Sequence, residues 1–298
     1  MPVDHKINTV TVDAFFQTKP VVGVIQLPPL PGAANWGGSM ERVLQRAEQE
    51  ATAFAACGVD ALLLENRQDL GYRDRVDTAT VSAFTMIVRQ VQALTQLPVG
   101  ISVLPNDPET ALAIVLTTGA EMIRLPVLLG ARLTPQGILE SRLGPMLAYA
   151  ERLKLTKRPQ LWVDVSMEHL RTESPQPGLA IEAVLASIAQ PLAQVERVDA
   201  VVVNLQEVSP ESLDAFSQKT HLPIMVAGPF SPDNAAPYFQ QAHGLLIGEG
   251  LKKQSVNSAP EAEPFGPAID PVRVEALFHS IHRSPGAGFS SASGAFPT

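Results

Sequence analysis

The sequence predicts a single closed α/β barrel, and three observations carry that prediction. Eight short runs rich in β-branched residues recur along the chain, at 21–26, 59–64, 99–104, 121–126, 161–166, 200–204, 224–227 and 245–247. Each is too short for a helix and too continuously apolar for a one-sided strand, which suits parallel strands covered on both faces. Helical patterns fill the intervals, and strand–helix alternation that closes after eight units is a TIM-type (β/α)8 barrel. An open doubly wound sheet is the runner-up. Its first strand ordinarily runs into a glycine-rich phosphate turn, and Gln26-Leu27-Pro28-Pro29-Leu30-Pro31-Gly32 is unlike one.

Taken in order, residues 1–19 read as a lead-in helix whose apolar face, Val12, Phe15 and Phe16, can plug the bottom of the barrel. The helix after the first strand starts near Ser39 and carries Val43, Leu44, Ala47, Ala51, Phe54 and Ala55 at helical spacing, with Gly58 as its stop. A second helical pattern covers 77–95. Asp107-Pro108, Thr134-Pro135, Ser209-Pro210, Ser231-Pro232 and Asp270-Pro271 follow strands three, four, six, seven and eight. Each pairs a capping side chain with a proline whose missing N–H costs nothing in a first helical turn, so each predicts a helix start. Patterns over 137–153 and 179–190 complete the set, with Pro191 expected to end the latter. A polar, proline-containing insertion at 254–267 and a Ser/Gly/Ala-rich tail at 284–298, expected to be disordered, lie outside the barrel. The predicted division is therefore a lead-in segment, 1–19, one barrel, 20–283, and the tail.

Composition narrows the functional classes. The formal net charge of -8 opposes general binding to nucleic acid, which needs basic surface. No run approaches eighteen uninterrupted apolar residues, and the first twenty residues lack the charged and apolar regions of a secretory signal. The chain is expected to be cytoplasmic, with any membrane contact peripheral. Cys57 stands alone, so no disulfide framework or cysteine metal site is expected, and a buried, inert thiol fits its place at a helix end.

In a barrel, residues just past each strand converge on one rim. Here they include Gln26, Glu65, Asn66, Asn106, Asp107, Pro126, Asp164, Ser166, Asn204, Glu207, Gly228, Pro229, Gly248, Glu249 and Gly250. Glu65, Asp164 and His169 are the candidate acid–base residues. Asp107 and Glu207 also fit helix-start roles, and without a His-x-His type of spacing no metal site or cofactor is assigned. Gly228, Gly248 and Lys252 occupy the loops after strands seven and eight, where phosphate-binding barrels offer backbone N–H groups. Pro229 has no N–H to offer, however, and Glu249 would repel the anion. Arg124, inside an apolar strand, must be paired, with Glu65 and Asp164 as the expected partners. It fits either a structural ion network or an anion-binding arginine, and Asn66 and Asn106 are further candidate ligand-binding residues.

Several segments resemble the BtpA family: VVGVIQLPPLPG at 21–32, WGGS at 36–39, RAEQEATAFAACGVDALLLEN at 46–66, DRVD at 74–77 and LPVGISVLPNDPETALAI at 97–114. The match continues through GAEMIRLPVLLGARLTPQGILESR at 119–142, VDVSMEH at 163–169 and HGLLIGEGLKK at 243–253, most fully to the cyanobacterial branch. The resemblance implies a TIM barrel that serves accumulation or stability of photosystem I, with photosystem I components or assembly factors as partners. It also implies peripheral association with the cytoplasmic face of the thylakoid membrane; a homo-oligomer is compatible with it. Glu65, Asn66, Asn106, Asp107, Arg124, Gln136, Gly137, Asp164 and His169 match the family pattern. The chain departs from it at Gln26, Ser102, Pro126, Ser166 and Glu168, at 204–208, and in both glycine loops. Proton-transfer and phosphate-facing positions have thus changed together while scaffold positions remain. The resulting expectation is a non-catalytic factor acting through protein contacts. The alternative is an enzyme or sensor for a phosphorylated sugar or nucleotide-like molecule.

Overall fold

A computed structural model describes residues 12–70, 75–134, 137–155, 157–167, 169–170, 180–195, 197–253 and 266–282. Eight parallel strands close on themselves in chain order: β1 (Val21–Gln26), β2 (Ala61–Glu65), β3 (Val99–Ser102), β4 (Met122–Leu125), β5 (Gln160–Asp164), β6 (Ala200–Asn204), β7 (Ile224–Ala227) and β8 (Gly244–Ile247). β8 pairs back onto β1, with Val21 opposite Leu245. All eight expected runs are strands, with ends that differ from the expected ones by no more than two residues.

Side chains alternate across the wall with a period of two. Val22, Ala61, Leu63, Met122, Trp162, Ala200, Val202, Met225 and Leu246 share one buried cluster inside the barrel. Their outward neighbours, among them Ile25, Leu62, Leu64, Ile123, Val163 and Val201, join the larger core beneath the helices. The lead-in helix α1 (Val12–Gln17) drives Phe15 and Phe16 into the inner cluster, each ring 6.1 Å from that of Trp162. Burying each aromatic side chain contributes about 1.5–3 kcal/mol, which anchors α1 against the inner cluster.

The outer helices are α2 (Met40–Ala56), α3 (Thr78–Thr95), α4 (Pro108–Thr118), α5 (Leu143–Leu153), α6 (Ile181–Ala193), α7 (Pro210–Ser217), α8 (Ala235–Gln241) and α9 (Pro271–Ser280). Ser39, Asp77, Asp107, Ser209 and Asp270 cap their helices through side-chain oxygens, satisfying N–H groups that have no intrahelical partner.

Three expectations are corrected. Thr134-Pro135 opens no helix: 131–134 and 137–140 form an antiparallel hairpin, and α5 begins only at Leu143. Gly137 sits at φ +126 and the Thr134 hydroxyl donates to its carbonyl at 2.8 Å, so the chain reverses where a helix would have continued. Pro191 does not end α6 but lies in its last turn, and Gln194 N–H closes onto the Pro191 carbonyl. Ser231-Pro232 opens a turn, in which Asn234 Oδ1 accepts the Ser231 N–H at 2.8 Å, and α8 follows from Ala235. The hairpin pairs with a short strand at His169–Leu170, giving a three-stranded flap at the ends of β4 and β5. The 284–298 tail and most of the 254–267 insertion lie outside the described residues.

Candidate functional site

The last inward positions of β2, β4 and β5 are Glu65, Arg124 and Asp164, two residues beyond the inward Leu63, Met122 and Trp162. At that height the apolar filling gives way to charge. Arg124 Nη1 donates to Glu65 Oε1 at 2.8 Å, Nε to Asp164 Oδ1 at 2.8 Å and Nη2 to Asp164 Oδ2 at 3.3 Å. Burial opposes the charge on Arg124, but Asp164 and Glu65 outweigh it and raise the arginine further above its ordinary pKa. The side chains of Glu65, Asp164 and Arg124 are 4%, 14% and 15% exposed, so water screens this network little. Arg132, reaching in from the hairpin, lies 3.7 Å from Asp164 Oδ2.

Above the network is a cavity of about 450 Å³, walled by the loops after β1, β2 and β3 and by the hairpin. Glu65, Asn66, Arg124 and Asp164 line it, as do Asp69, Ser102, Arg132, Thr134 and Leu139. Register explains the hairpin's share. Arg132 pairs with Leu139 and both line the cavity, whereas the adjacent pair, Leu133 and Ile138, takes the opposite face and is 55% and 51% exposed.

The other expected site residues fall elsewhere. Asn66, although it touches the cavity, is a clasp: its Oδ1 accepts Leu104 N–H at 2.8 Å and its Nδ2 donates to Leu104 O and Asp69 Oδ2. Asn106 binds Val127 N–H and carbonyl and the Glu140 carbonyl, tying the β3 loop to the hairpin. Glu207 accepts from Ser166 Oγ at 2.7 Å and Met167 N–H at 3.1 Å, joining the β5 and β6 ends. Gly228, Gly248 and Lys252 lie outside the cavity lining. At Gly228, φ is +154 and a Cβ would stand 2.6 Å from the Leu205 side chain, which fills that corner. Gly248 packs on the Val24 backbone, and Lys252 donates to Gln26 Oε1 at 3.3 Å. His169 is placed as the strand partner of Arg132 in the three-stranded flap. Among the described residues no group of three or more His, Cys, Asp and Glu side chains is placed to hold a metal ion.

Sequence reasoning did not single out Asp69, Arg132 or the hairpin as parts of the site. The hairpin's signal was the two-residue alternation on either side of Pro135-Gln136-Gly137. No comparable signal marked Asp69.

Known proteins place this architecture. The model of the BtpA family matches residues 17–283. The chain belongs to the BtpA family. Over 274 residues, spanning 89% of both chains, this BtpA-family protein is 38% identical to the photosystem I biogenesis protein BtpA of Synechocystis sp.. It is 32% identical to an uncharacterized protein of Pyrococcus horikoshii over 80% of this chain and 89% of that one. Among solved structures, tryptophan synthase from M. tuberculosis aligns with a TM-score of 0.54 at 15% identity, over 92% of this chain and 97% of that chain. Phosphoribosyl anthranilate isomerase from Thermococcus kodakaraensis gives 0.50 at 12% identity, over 88% and 98%. At such identities the likeness concerns the barrel alone.

Proposed function

We propose that this BtpA-family chain serves photosystem I biogenesis or stability as a non-catalytic factor that acts through protein contacts. The observation that carries the reading is the 38% identity, across 89% of both chains, to the Synechocystis protein named for photosystem I biogenesis. The strand-end chemistry supports the non-catalytic part. Arg124 is spent on two carboxylates, and Leu205 occupies the corner beside Gly228 where a phosphate would approach backbone N–H groups. The exposed Leu133–Ile138 pair on the hairpin's outer face supports the contact part, because paired apolar side chains are costly to leave in water. In this reading the partners are photosystem I components or assembly factors, met at the cytoplasmic face of the thylakoid membrane by peripheral association.

Complementation tests the proposal. The chain is expressed in a Synechocystis strain lacking the 38%-identical relative, and the ratio of photosystem I to photosystem II is measured. Restoration of the ratio by the chain, and equally by its Glu65→Gln variant, is the expected result. A ratio unchanged from the deletion strain overturns the biogenesis role. Rescue by the parent chain but not by a stably folded Glu65→Gln variant overturns the non-catalytic part.

A further inference from the structure

The cavity above Arg124 has a chemical preference that the photosystem reading neither requires nor explains. Its walls hold four described carboxylates, on Glu65, Asp69, Asp77 and Asp164, against three guanidinium groups, on Arg67, Arg124 and Arg132. Arg124 is already committed to Glu65 and Asp164, Arg132 lies 3.7 Å from Asp164, and Arg67 is an exposed side chain, so the floor itself offers an anionic ligand no uncommitted arginine. The glycine loops after β7 and β8 do not line the cavity.

Acceptors, by contrast, are in place. Ser102 stands opposite Glu65 in the β2–β3 ladder, and both residues line the cavity. Ser102 is 2% exposed, and its hydroxyl has no hydrogen-bond partner among the described residues. Because Ser102 lines the cavity, that hydroxyl is available to a ligand there as donor or acceptor. Glu65 gives only its Oε1 to Arg124, so its second carboxylate oxygen keeps acceptor capacity. In the loop after β2, Asp69 also lines the cavity and is held by neutral donors alone: Leu30 N–H at 2.8 Å on Oδ1 and Asn66 Nδ2 at 3.1 Å on Oδ2. Burial pushes its pKa up against those two hydrogen bonds, the mark of a carboxylate short of positive charge.

We propose that this cavity binds a small primary amine, its ammonium group seated among Asp69, Glu65 and Ser102. An ammonium brings three N–H donors and one positive charge, which match two carboxylates and a hydroxyl. The described lining contains no aromatic side chain, so it lacks the ring faces that hold a quaternary ammonium by cation–π attraction. The volume, about 450 Å³, is that of a small-molecule site.

Isothermal titration calorimetry on the full chain tests this with ethanolamine and putrescine, against choline and inorganic phosphate. Saturable binding of either primary amine, with choline at least tenfold weaker and phosphate silent, is the expected result. Asp69→Asn should weaken amine binding at least tenfold. Ser102→Ala, which removes a hydroxyl without a partner and so spares the fold, should weaken it severalfold. Phosphate binding in preference to the amines overturns the proposal, as does the absence of binding by both amines. Amine binding unchanged in Ser102→Ala and in folded Asp69→Asn overturns the assigned seat. The titration uses the isolated protein, so its outcome is independent of photosystem complementation.

Discussion

Arg124→Met asks whether the strand-end network behaves as a buried interior or as a wet surface. Methionine keeps much of the arginine stem, so the change removes charge and three hydrogen bonds more than volume. Left behind are two carboxylates whose side chains are 4% and 14% exposed, both facing the space the guanidinium filled. Removing one partner of a buried pair costs about 3–5 kcal/mol, whereas an exposed pair is worth about 0–1 kcal/mol. The cavity admits some water to the two carboxylates and Arg132 stays 3.7 Å from Asp164, which together place the expected loss at the lower end, about 3 kcal/mol. In large domains each kcal/mol moves the melting temperature by about 2–4 °C, so the variant should melt roughly 6–12 °C lower. Urea unfolding at neutral pH supplies the free energy. The variant that also carries Glu65→Gln and Asp164→Asn should recover a large part of the loss, because neutral amides avoid the desolvation cost of a buried charge. A loss below about 1 kcal/mol, the exposed-pair value, would refute the buried network, as would a triple variant no more stable than the single one.

Two further outcomes follow from the same electrostatics. Glu109 accepts from Arg142 Nε at 2.8 Å and Nη2 at 3.0 Å and also pairs with Arg75. Burial raises its pKa, but the two arginines outweigh that and hold it below the ordinary carboxylate value. A depressed folded pKa gives stability that is complete above the unfolded value near 4.5 and is lost as pH falls through the folded one. The stability difference between the parent chain and Glu109→Gln should therefore be constant near neutrality and shrink below about pH 4.5; a difference independent of pH down to 3 would contradict the pairing. Cys57 is buried and its thiol is pushed up to about 11 by burial and by nearby Glu275. A thiol reagent at pH 8 should label it only after denaturation, and rapid labelling of the native chain would contradict its placement.

What the sequence made legible was set by how few partners each residue could have. An arginine inside an apolar strand must find carboxylates at its own height, and the two-residue alternation brings only particular strand-end residues there. Glu65 and Asp164 were readable as its partners for that reason, although they lie 59 and 40 residues away. Caps were readable because a Ser or Asp side chain bonds within its own next turn. Thr134-Pro135 has the same local form, but its outcome turned on Gly137, whose positive φ admits a chain reversal that a cap cannot outvote. The roles of Asn66 and Asn106 were hidden because the loops they tie down are held through backbone groups 38 and 21 residues away, which carry no side-chain signature. Gly228 kept the look of a phosphate loop because nothing local showed Leu205 filling its corner.

The hairpin separates the two functional readings, and a substitution on it can be argued in full. Leu133 and Ile138 form one cross-strand pair on its outer face, and Arg132 and Leu139 form the next on its inner face. Neither outer residue lines the cavity. At 55% and 51% exposure, replacing both by serine gives up little packing, so stability should stay within about 0.5 kcal/mol of the parent chain. Amine titration should be unchanged, because Asp69, Glu65 and Ser102 keep their places. Complementation of photosystem I should fall if the outer pair meets a partner, since a polar pair at the centre of a contact loses the apolar burial that drives association. Full rescue by the Leu133→Ser, Ile138→Ser chain would move the contact surface away from the hairpin. Loss of amine binding in the same chain would show that the two faces of the hairpin do not act separately, contrary to the alternation that places them on opposite sides of one two-stranded ribbon.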